Sequence, residues 1–410
     1  MIGVDIGHET QHARAFDWRG VELGKVFRFE NSKEGFEAFG RWVEKLKHSV
    51  GKTAVMVGSE PTGHYWFNLV PYLKESGMKL VLVNPHHVKK SKEMDDNHPS
   101  KTDRKDPKTI AKLVCEGRYN IPHIPEGVYA ELRIMMELRL RVCKELNQIK
   151  NRVQRWLSIY FPEFVKVYCK IDTVSGLLVL ENVPMPEDIL ALGAAGLNGL
   201  WRQSKIKAVG MKKATSLFEA AKSSVGCKNG GDAARLELRL LLADYRTKME
   251  QYTQIMEEVE KLCRQVPNVE KLLEIGGIGF VTVAGFVVEV GDIRRFQSPK
   301  QIQKLAGLAL RENSSGQCKG QTTISRRGRA RLRAVLFQAV MPLVSKNQEF
   351  KKIHQYYTSR AKNPLKKKQS LIALSCKLIR VFYALLTKGC AYDPVKLVTD
   401  INRPVDRLAA

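Results

Sequence analysis

The chain has 410 residues, too many for one ordinary hydrophobic core, and its length predicts about two to three domains. Hydrophobic residues make up 44% and charged residues 27%, so the composition excludes a disordered tail. The formal net charge of +26 favours a polyanionic partner and argues against a metabolic enzyme. Because the basic residues are spread along the whole chain, nucleic acid is favoured over a membrane surface.

Cysteine and hydrophobicity patterns narrow the class of protein further. The eight cysteines form no CxxC pair, so neither a zinc ribbon nor a disulfide framework is predicted. No run of about 18 apolar residues is present, which predicts no transmembrane helix. The first predicted strand begins at Met1 and leaves no room for a signal peptide. We therefore expect a protein of the cytoplasm with reduced thiols and no membrane partner.

The first 120 residues alternate between strand and helix patterns. Three short apolar runs before residue 30 predict three consecutive strands. The elements predicted after them are a helix at 34–48, a strand at 53–57, a helix at 65–76 and a strand at 78–83. This order predicts an α/β domain with a mixed sheet, and it matches the order of a ribonuclease-H-like domain.

Long helices are predicted for the middle of the chain. Residues 126–161 carry an apolar stripe beside many basic residues. From Leu238 to Cys263, apolar residues recur in steps of four and three, which is typical of a coiled coil or a helical hairpin. The region 163–232 is less regular, with a helix predicted at 211–223 and a flexible joint at 223–232. Most of the chain after this region is again predicted to be helical.

Four carboxylates of the first domain stand where strands end or a helix starts. Asp5 ends the first strand, Glu60 follows the fourth, and Asp103 and Asp106 lie three residues apart at a helix start. Converging carboxylates repel one another unless cations bind between them, and phosphoryl-transfer enzymes commonly use two divalent ions there. Mg²⁺ or Mn²⁺ suits such oxygen ligands. The alternative is that each acid is only a turn or cap residue.

Two motifs of the last third suggest contact with phosphate. The Gly-rich run 274–280 contains Gly277 and Gly279, and it either exposes backbone N–H groups or permits close helix packing. Ser314 and Ser315 lie in a polar loop among basic residues, which would neutralise the charge that develops when a serine attacks a phosphate. No nearby histidine offers itself as a base. The basic candidates for nucleic-acid contact are Arg311, Lys319, Arg326, Arg327 and Arg329, with Arg152 on the long helix.

At these residues the sequence resembles the IS110 family of bacterial insertion-sequence transposases, which includes the Piv-type DNA invertases. The N-terminal part resembles their DEDD RuvC-like domain in VDIG, EPTGHYW, VNP and KTDRKD. The C-terminal part resembles their second transposase domain in EIGGIG, EVGDIRRF, FQSPKQIQKLAGL, RENSSG and ISRRGRARLR. The resemblance covers residues 1–162 and 266–395. It departs at Ala309 and Leu310, where the family has a small residue and a proline before Arg311.

The resemblance implies an RNA-guided DNA recombinase. An element-encoded noncoding (bridge) RNA would join donor and target double-stranded DNA, and strand exchange would pass through a covalent phosphoserine. The family's carboxylates carry over to Asp5, Glu60, Asp103 and Asp106, and its nucleophile carries over to Ser315, with Ser314 as the adjacent alternative. Two duplexes imply a homodimer or homotetramer, with Ser315 of one subunit meeting the acids of another. Such a protein is expected in the prokaryotic cytoplasm, associated with the nucleoid.

The predicted architecture has four parts. They are an α/β ribonuclease-H/RuvC-like domain at 1–125, a helical linker and coiled coil at 126–265 with the inserted region 163–232, a mainly α-helical transposase domain at 266–395, and a tail at 396–410. The region 163–232 receives no role from the resemblance.

Three rival functions stay open at this point. A metal-dependent RuvC-like junction nuclease would use only the acids, and it predicts that Ser315→Ala stays active. A nonenzymatic nucleic-acid-binding protein predicts that Asp5→Ala changes nothing. A structural coiled-coil protein would explain the heptads but not the first domain.

Overall fold

The computed structural model describes residues 1–61, 63–95, 106–311, 314–315, 318–319 and 322–401. The chain forms two compact units, Met1–Ile124 and Pro125–Ala410. The regions 126–265 and 266–395, which the sequence analysis separates, lie together in the second unit, and a single hydrophobic core runs through both.

A six-stranded mixed sheet forms the centre of the first unit. The strand order is β3-β2-β1-β4-β5-β6. Strands β1, β4 and β5 pair in parallel, whereas β2, β3 and β6 join by antiparallel pairing. The strands are β1 (Ile2–Ile6), β2 (Thr10–Ala15), β3 (Phe27–Glu30), β4 (Met56–Ser59), β5 (Lys79–Val83) and β6 (Tyr119–Asn120). The predicted α/β unit with a mixed sheet is confirmed.

Helices cover both faces of this sheet, because successive strand residues point to opposite sides. The helices are α1 (Lys33–Val50), α2 (Leu69–Glu75), α3 (Pro85–Asp95) and α4 (Asp106–Cys115). Ile2, Val4 and Val57 share a buried cluster with residues of α1 and α2. On the other face, Val81 and Val83 of β5 pack with residues of α3 and α4.

The second unit is mostly helical and is built around two long antiparallel helices, α5 (Val128–Tyr160) and α10 (Gly231–Arg264). Trp156 Nε1 donates a hydrogen bond to Ala234 O at 2.9 Å, and Lys248 Nζ forms an ion pair with Glu145 Oε2 at 2.7 Å. The predicted apolar seam packs within the chain, where its buried members are Leu238, Leu242, Tyr245, Val259 and Cys263. A coiled coil between chains stays a prediction.

The inserted region forms helices α6 (Phe164–Val167), α7 (Val174–Asn182), α8 (Pro186–Gln203) and α9 (Met211–Lys222). The helix predicted at 211–223 is confirmed as α9. The segment predicted as a flexible joint is a loop fixed to the end of α5. Cys227 N donates to Ile159 O at 2.8 Å, and the Glu163 carboxylate accepts a hydrogen bond from Ser224 Oγ at 2.6 Å.

The rest of the second unit consists of short helices, short strands and one apolar core helix. The helices are α11 (Glu270–Leu273), α12 (Phe280–Val290), α13 (Pro299–Leu305), α14 (Ala330–Lys346), α15 (Gln348–Ser359), α16 (Lys367–Lys388) and α17 (Pro394–Val398). The strands are β7 (Leu310–Arg311), β8 (Ser314–Ser315), β9 (Cys318–Lys319) and β10 (Thr323–Ile324).

Helix α16 differs from the expectation that no helix could span a membrane. Among the described residues it is the one helix that is long and apolar enough to do so, by length and composition. Half of its most apolar window is buried inside the protein. Leu374, Leu378 and Phe382 are fully buried there, so the core of the second unit accounts for its apolar character.

Candidate active site

Asp5 and Glu60 occupy neighbouring positions at the carboxyl ends of two parallel strands. Strands β1 and β4 pair with Val4 opposite Ser59. The next residue is Asp5 after Val4 and Glu60 after Ser59. Val4 and Ser59 are fully buried, whereas both acids are partly exposed. Because side chains alternate along a strand, the two acids share the face opposite to that of Val4.

Two glycines bring helix α4 onto this same face. A Cβ atom on Gly3 would lie 1.9 Å from Pro107 O, and one on Gly58 would lie 2.4 Å from Val114 Cγ2. Any larger residue at Gly3 would therefore push the start of α4 off the sheet. Since Gly3 and Gly58 each stand two residues before one of the acids, they lie on the face that carries the acids.

Asp106 is the first residue of α4 and precedes Pro107, whose carbonyl oxygen approaches Gly3 on this face. We call the three residues Asp5, Glu60 and Asp106 the acidic edge. The structure thus places Asp5 and Glu60 at neighbouring strand positions on the face that α4 covers, with Asp106 at the start of that helix. The fourth predicted acid, Asp103, lies outside the described residues.

Asp106 is buried, with an exposed fraction of 6%. Lys92 of α3 forms an ion pair with its Oδ1 atom, without the geometry of a regular hydrogen bond. The side chain of Lys92 is 31% exposed, so solvent reaches the lysine of this pair but hardly reaches the carboxylate. A buried carboxylate without a counter-charge is strongly unfavourable, and Lys92 supplies that charge here.

The donor chemistry of the acidic edge fits a divalent metal. Carboxylate oxygens are the hard ligands that Mg²⁺ and Mn²⁺ take in proteins. Among the described residues, no three His, Cys, Asp or Glu side chains lie close enough to hold an ion. Asp103 would be needed to complete a four-carboxylate set.

Ser314 and Ser315 lie in a loop of short antiparallel strands between α13 and α14. We call residues 310–324 the serine ribbon. Strand β7 pairs with β10 at its base, with Arg311 opposite Thr323. Strand β8 pairs with β9 further along, with Ser315 opposite Cys318.

The base of the serine ribbon is fixed to the end of α13 by a tight turn. A Cβ atom on Gly328 would lie 2.4 Å from Leu305 O, and the φ angle of Gly328 is +149°. Arg326 has a positive φ of 55°, and its N–H donates to Gly307 O at 3.0 Å. Arg329 N donates to Leu305 O at 2.7 Å. The positive φ angles and the close backbone approach explain the glycine in the Arg326–Arg329 sequence.

The arginines of this turn divide into two groups. Arg329 donates a hydrogen bond to Glu289 O, and Arg333 donates to Ala306 O at 2.9 Å. Burial lowers the pKa of the Arg329 guanidinium. These two side chains therefore fasten the fold, and a phosphate contact by Arg329 stays a prediction.

The other basic residues predicted to contact nucleic acid are exposed where the structure describes their side chains. Arg311 is exposed within the serine ribbon, Arg326 and Arg327 are exposed just after it, and Arg152 is exposed on α5. The side chain of Lys319 lies outside the described part.

The Gly-rich run forms the turn between α11 and α12. Gly279 precedes the first residue of α12 in an extended conformation and is exposed. Gly277 has a φ of +97°, and a Cβ atom there would lie 3.3 Å from a methyl group of Leu343. Asn347 Nδ2 donates to Gly276 O at 3.1 Å and holds the turn against α14. Close packing therefore explains Gly277, and the exposed Gly279 leaves phosphate contact as a prediction.

Comparisons with known proteins join these two sites in one family. A family model of DEDD transposases from IS110 elements matches residues 2–162, which include the acidic edge. A second model, described as transposase IS116/IS110/IS902 family, matches residues 269–355, which include the serine ribbon. The pilin gene-inverting protein of Moraxella lacunata is 31% identical over 399 residues, covering 96% of this chain and 97% of the relative. The chain belongs to the IS110 family of transposases.

This transposase also has more distant relatives that match over nearly their full length. The transposase for insertion sequence element IS1111A of Coxiella burnetii is 22% identical over 397 residues, covering 96% of the chain and 91% of the relative. An uncharacterized protein of insertion element IS110 from Streptomyces coelicolor is 21% identical over 398 residues, covering 96% and 95%. The family makes this chain an enzyme of DNA transposition or recombination.

Sequence reasoning missed two residues that shape the transposase's candidate sites. Lys92 pairs with Asp106 only because α3 packs against α4, and no sequence signal distinguishes it from Lys89 or Lys90. Arg333 appeared only as one member of an arginine run, whereas its hydrogen bond to Ala306 O anchors the ribbon base.

Proposed function

We propose that this transposase is an RNA-guided DNA recombinase that exchanges strands through a covalent phosphoserine on Ser315, assisted by a divalent-metal site at the acidic edge. The observation that carries the proposal is the acidic edge itself. Two glycines and the parallel register place Asp5 and Glu60 on the face that α4 covers, with Asp106 at the start of that helix, within a domain matched to DEDD transposases.

The serine step conserves the energy of the phosphodiester bond. The Ser315 oxygen attacks phosphorus in line, a serine–phosphorus ester forms, and the bond from phosphorus to the leaving DNA oxygen breaks. The proton lost by the serine is balanced by the proton gained by the leaving hydroxyl. A hydroxyl of the other duplex then reverses the step, so no nucleotide cofactor is consumed. The exposed guanidinium groups of Arg311, Arg326 and Arg327 would neutralise charge on the reacting phosphate.

Asp5, Glu60, Asp103 and Asp106 would hold the metal. When bound, Mg²⁺ or Mn²⁺ supplies Lewis-acid polarisation of a phosphate oxygen. The strand ends fix the backbone positions of Asp5 and Glu60, and the start of α4 fixes that of Asp106, so these three residues would orient the site. Lys92 neutralises Asp106 in the structure and would yield this carboxylate to the ion.

Guide RNA, donor DNA and target DNA are the proposed partners, with a homodimer or homotetramer as the assembly. The net charge of +26 supports a polyanionic partner. The described acids lie in the first compact unit and the serine lies in the second, so the proposed chemistry requires a composite site, including one shared between subunits. Arg152 and other exposed basic residues of α5 are the candidates for RNA backbone contact.

A covalent-adduct experiment tests this proposal. Purified protein is mixed with Mg²⁺, the RNA transcribed from the flank of its gene, and nicked donor and target duplexes that trap the intermediate. A denaturing gel then compares the parent with Ser315→Ala, Ser314→Ala and Asp103→Ala. We expect an RNA-dependent protein–DNA adduct that is lost with Ser315→Ala and Asp103→Ala and kept with Ser314→Ala. Cleavage without an adduct that survives Ser315→Ala would overturn the serine mechanism and favour a metal-dependent junction nuclease.

A further inference from the structure

The segment 350–392 has an unusual charge balance that the proposed chemistry does not use. It contains ten lysines and arginines and no aspartate or glutamate. It therefore contributes +10 to the net charge of +26 from about a tenth of the chain. The family model of the second domain ends at residue 355, so most of this segment lies beyond the match.

Four exposed lysines lie in the turn between α15 and α16 or at the start of α16. We call them the basic turn, and its members are Lys362, Lys366, Lys367 and Lys368. Within the described part of the chain, none of these four lysines has an ion-pair partner. Cations around α10 differ, since Arg235, Arg246 and Arg264 each contact a carboxylate. The charge of the basic turn is thus uncompensated by the fold.

The backbone of the basic turn is held in place. Leu365 N donates to Tyr357 O at 2.8 Å, and Arg360 Nε donates to Asn363 O at 2.8 Å. His354 Nδ1 lies 2.9 Å from the buried Ser370 Oγ, which ties α15 to α16. Because the fold holds these unpaired lysines close together, their positive charges repel one another. A bound polyanion would reduce this repulsion and stabilise the turn.

We infer that the basic turn binds the phosphate backbone of duplex DNA. The inference rests on the proposed function, because it supplies a DNA contact to the unit that carries Ser315. Lysine ammonium groups are flexible point charges, which suit sequence-independent contacts to phosphate better than recognition of bases. DNA is favoured over RNA because the family acts in DNA transposition.

A matched pair of triple variants tests the inference. The test protein carries Lys362→Gln, Lys367→Gln and Lys368→Gln, which remove three unpaired charges. The control carries Lys261→Gln, Arg264→Gln and Lys271→Gln, which remove three exposed charges that already pair with acids. Binding to a labelled nonspecific DNA duplex is measured by fluorescence anisotropy over a salt series, with the guide RNA as a separate probe.

The test variant is expected to bind duplex about tenfold more weakly at physiological salt, with a salt slope smaller by about 2 to 3. The control is expected to stay close to the parent in both quantities. Equal duplex binding by the two triple variants would overturn the inference. A loss confined to the RNA probe would equally overturn it, since the partner would then be RNA. If strand exchange proceeded without a covalent adduct on Ser315, the proposed function would be wrong, but the difference in DNA binding between the two triple variants would stay the same.

Discussion

The acidic edge and the serine ribbon both depend on glycines for close backbone approach, but they are supported differently. The acidic edge stands on a six-stranded sheet covered by helices, and Gly3 and Gly58 let α4 pack directly onto it. The described strands of the serine ribbon are two residues long, and the turn around Gly328 anchors the base of the ribbon to α13. Changes at the acidic edge should therefore cost global stability, whereas changes at the ribbon should act locally.

Gly3→Ala should have the largest effect, because the new methyl group would meet the backbone of Pro107, which cannot move without α4. We expect the free energy of unfolding of the first unit to fall by about 3 kcal/mol. Chemical denaturation followed by circular dichroism measures it. Gly199→Ala in α8 is the control, since its Cβ would meet open space, and it should be neutral or stabilising by about 1 kcal/mol. Equal stability of the two variants would contradict the packing of α4 on β1.

Lys92→Met should have an intermediate effect, because it leaves the buried carboxylate of Asp106 without a counter-charge. With the lysine side chain 31% exposed, we expect a loss of about 2 kcal/mol, less than for a fully buried pair. Added Mg²⁺ should stabilise this variant more than the parent protein, since the ammonium group no longer competes for Asp106.

Lys90→Met is the matched control, because Lys90 lies on the same helix and pairs with the exposed Glu93. It should change the unfolding free energy by less than about 0.5 kcal/mol. Thermal unfolding with and without Mg²⁺ compares the two variants. If both lost the same stability, Lys92 would be an ordinary surface lysine.

Arg329→Gln should have a smaller effect on stability than Lys92→Met, because it removes a hydrogen bond to Glu289 O and a 3.7 Å ion pair with the Glu289 carboxylate, both of a partly exposed arginine. We expect a loss of about 1 kcal/mol. Arg327→Gln should leave stability unchanged and weaken strand exchange, since this side chain is exposed and the described residues offer it no such contact. Thermal unfolding and the adduct yield, measured on both variants, separate anchoring from catalysis. If the two variants had the same thermal stability and the same adduct yield, the assignment of Arg329 to anchoring and Arg327 to catalysis would be wrong.

The sequence could predict the elements whose apolar residues follow a regular pattern, and these include the strands that support the acidic edge. Short apolar runs placed Asp5 at the end of the first strand and Glu60 just after the fourth, because a continuous apolar run bounded by turn residues is typical of a buried strand. The apolar stripes of α5 and α10 likewise predicted two long helices. Ser315 rested on family resemblance, since residues 312–321 have no periodicity that could fix a fold.

Tertiary packing decided the features that the sequence did not reveal. Lys92 reaches Asp106 across two helices, and Arg329 turns inward to a backbone carbonyl while Arg327 stays exposed. Neither choice is encoded in local spacing. Helix α16 escaped the search for apolar runs because Lys377 and Arg380 interrupt it, although its core face is continuous.

The most direct test of the central claim is to map the covalently bound nucleotide. The adduct trapped with guide RNA, Mg²⁺ and nicked duplexes is digested with nuclease and trypsin, and the peptide 312–319 is sequenced by tandem mass spectrometry. The proposed mechanism predicts a nucleotide phosphoester on Ser315 and its absence from the Ser315→Ala protein. A phosphoester on Ser314 or on any other residue, or strand exchange with an unmodified peptide, would contradict it.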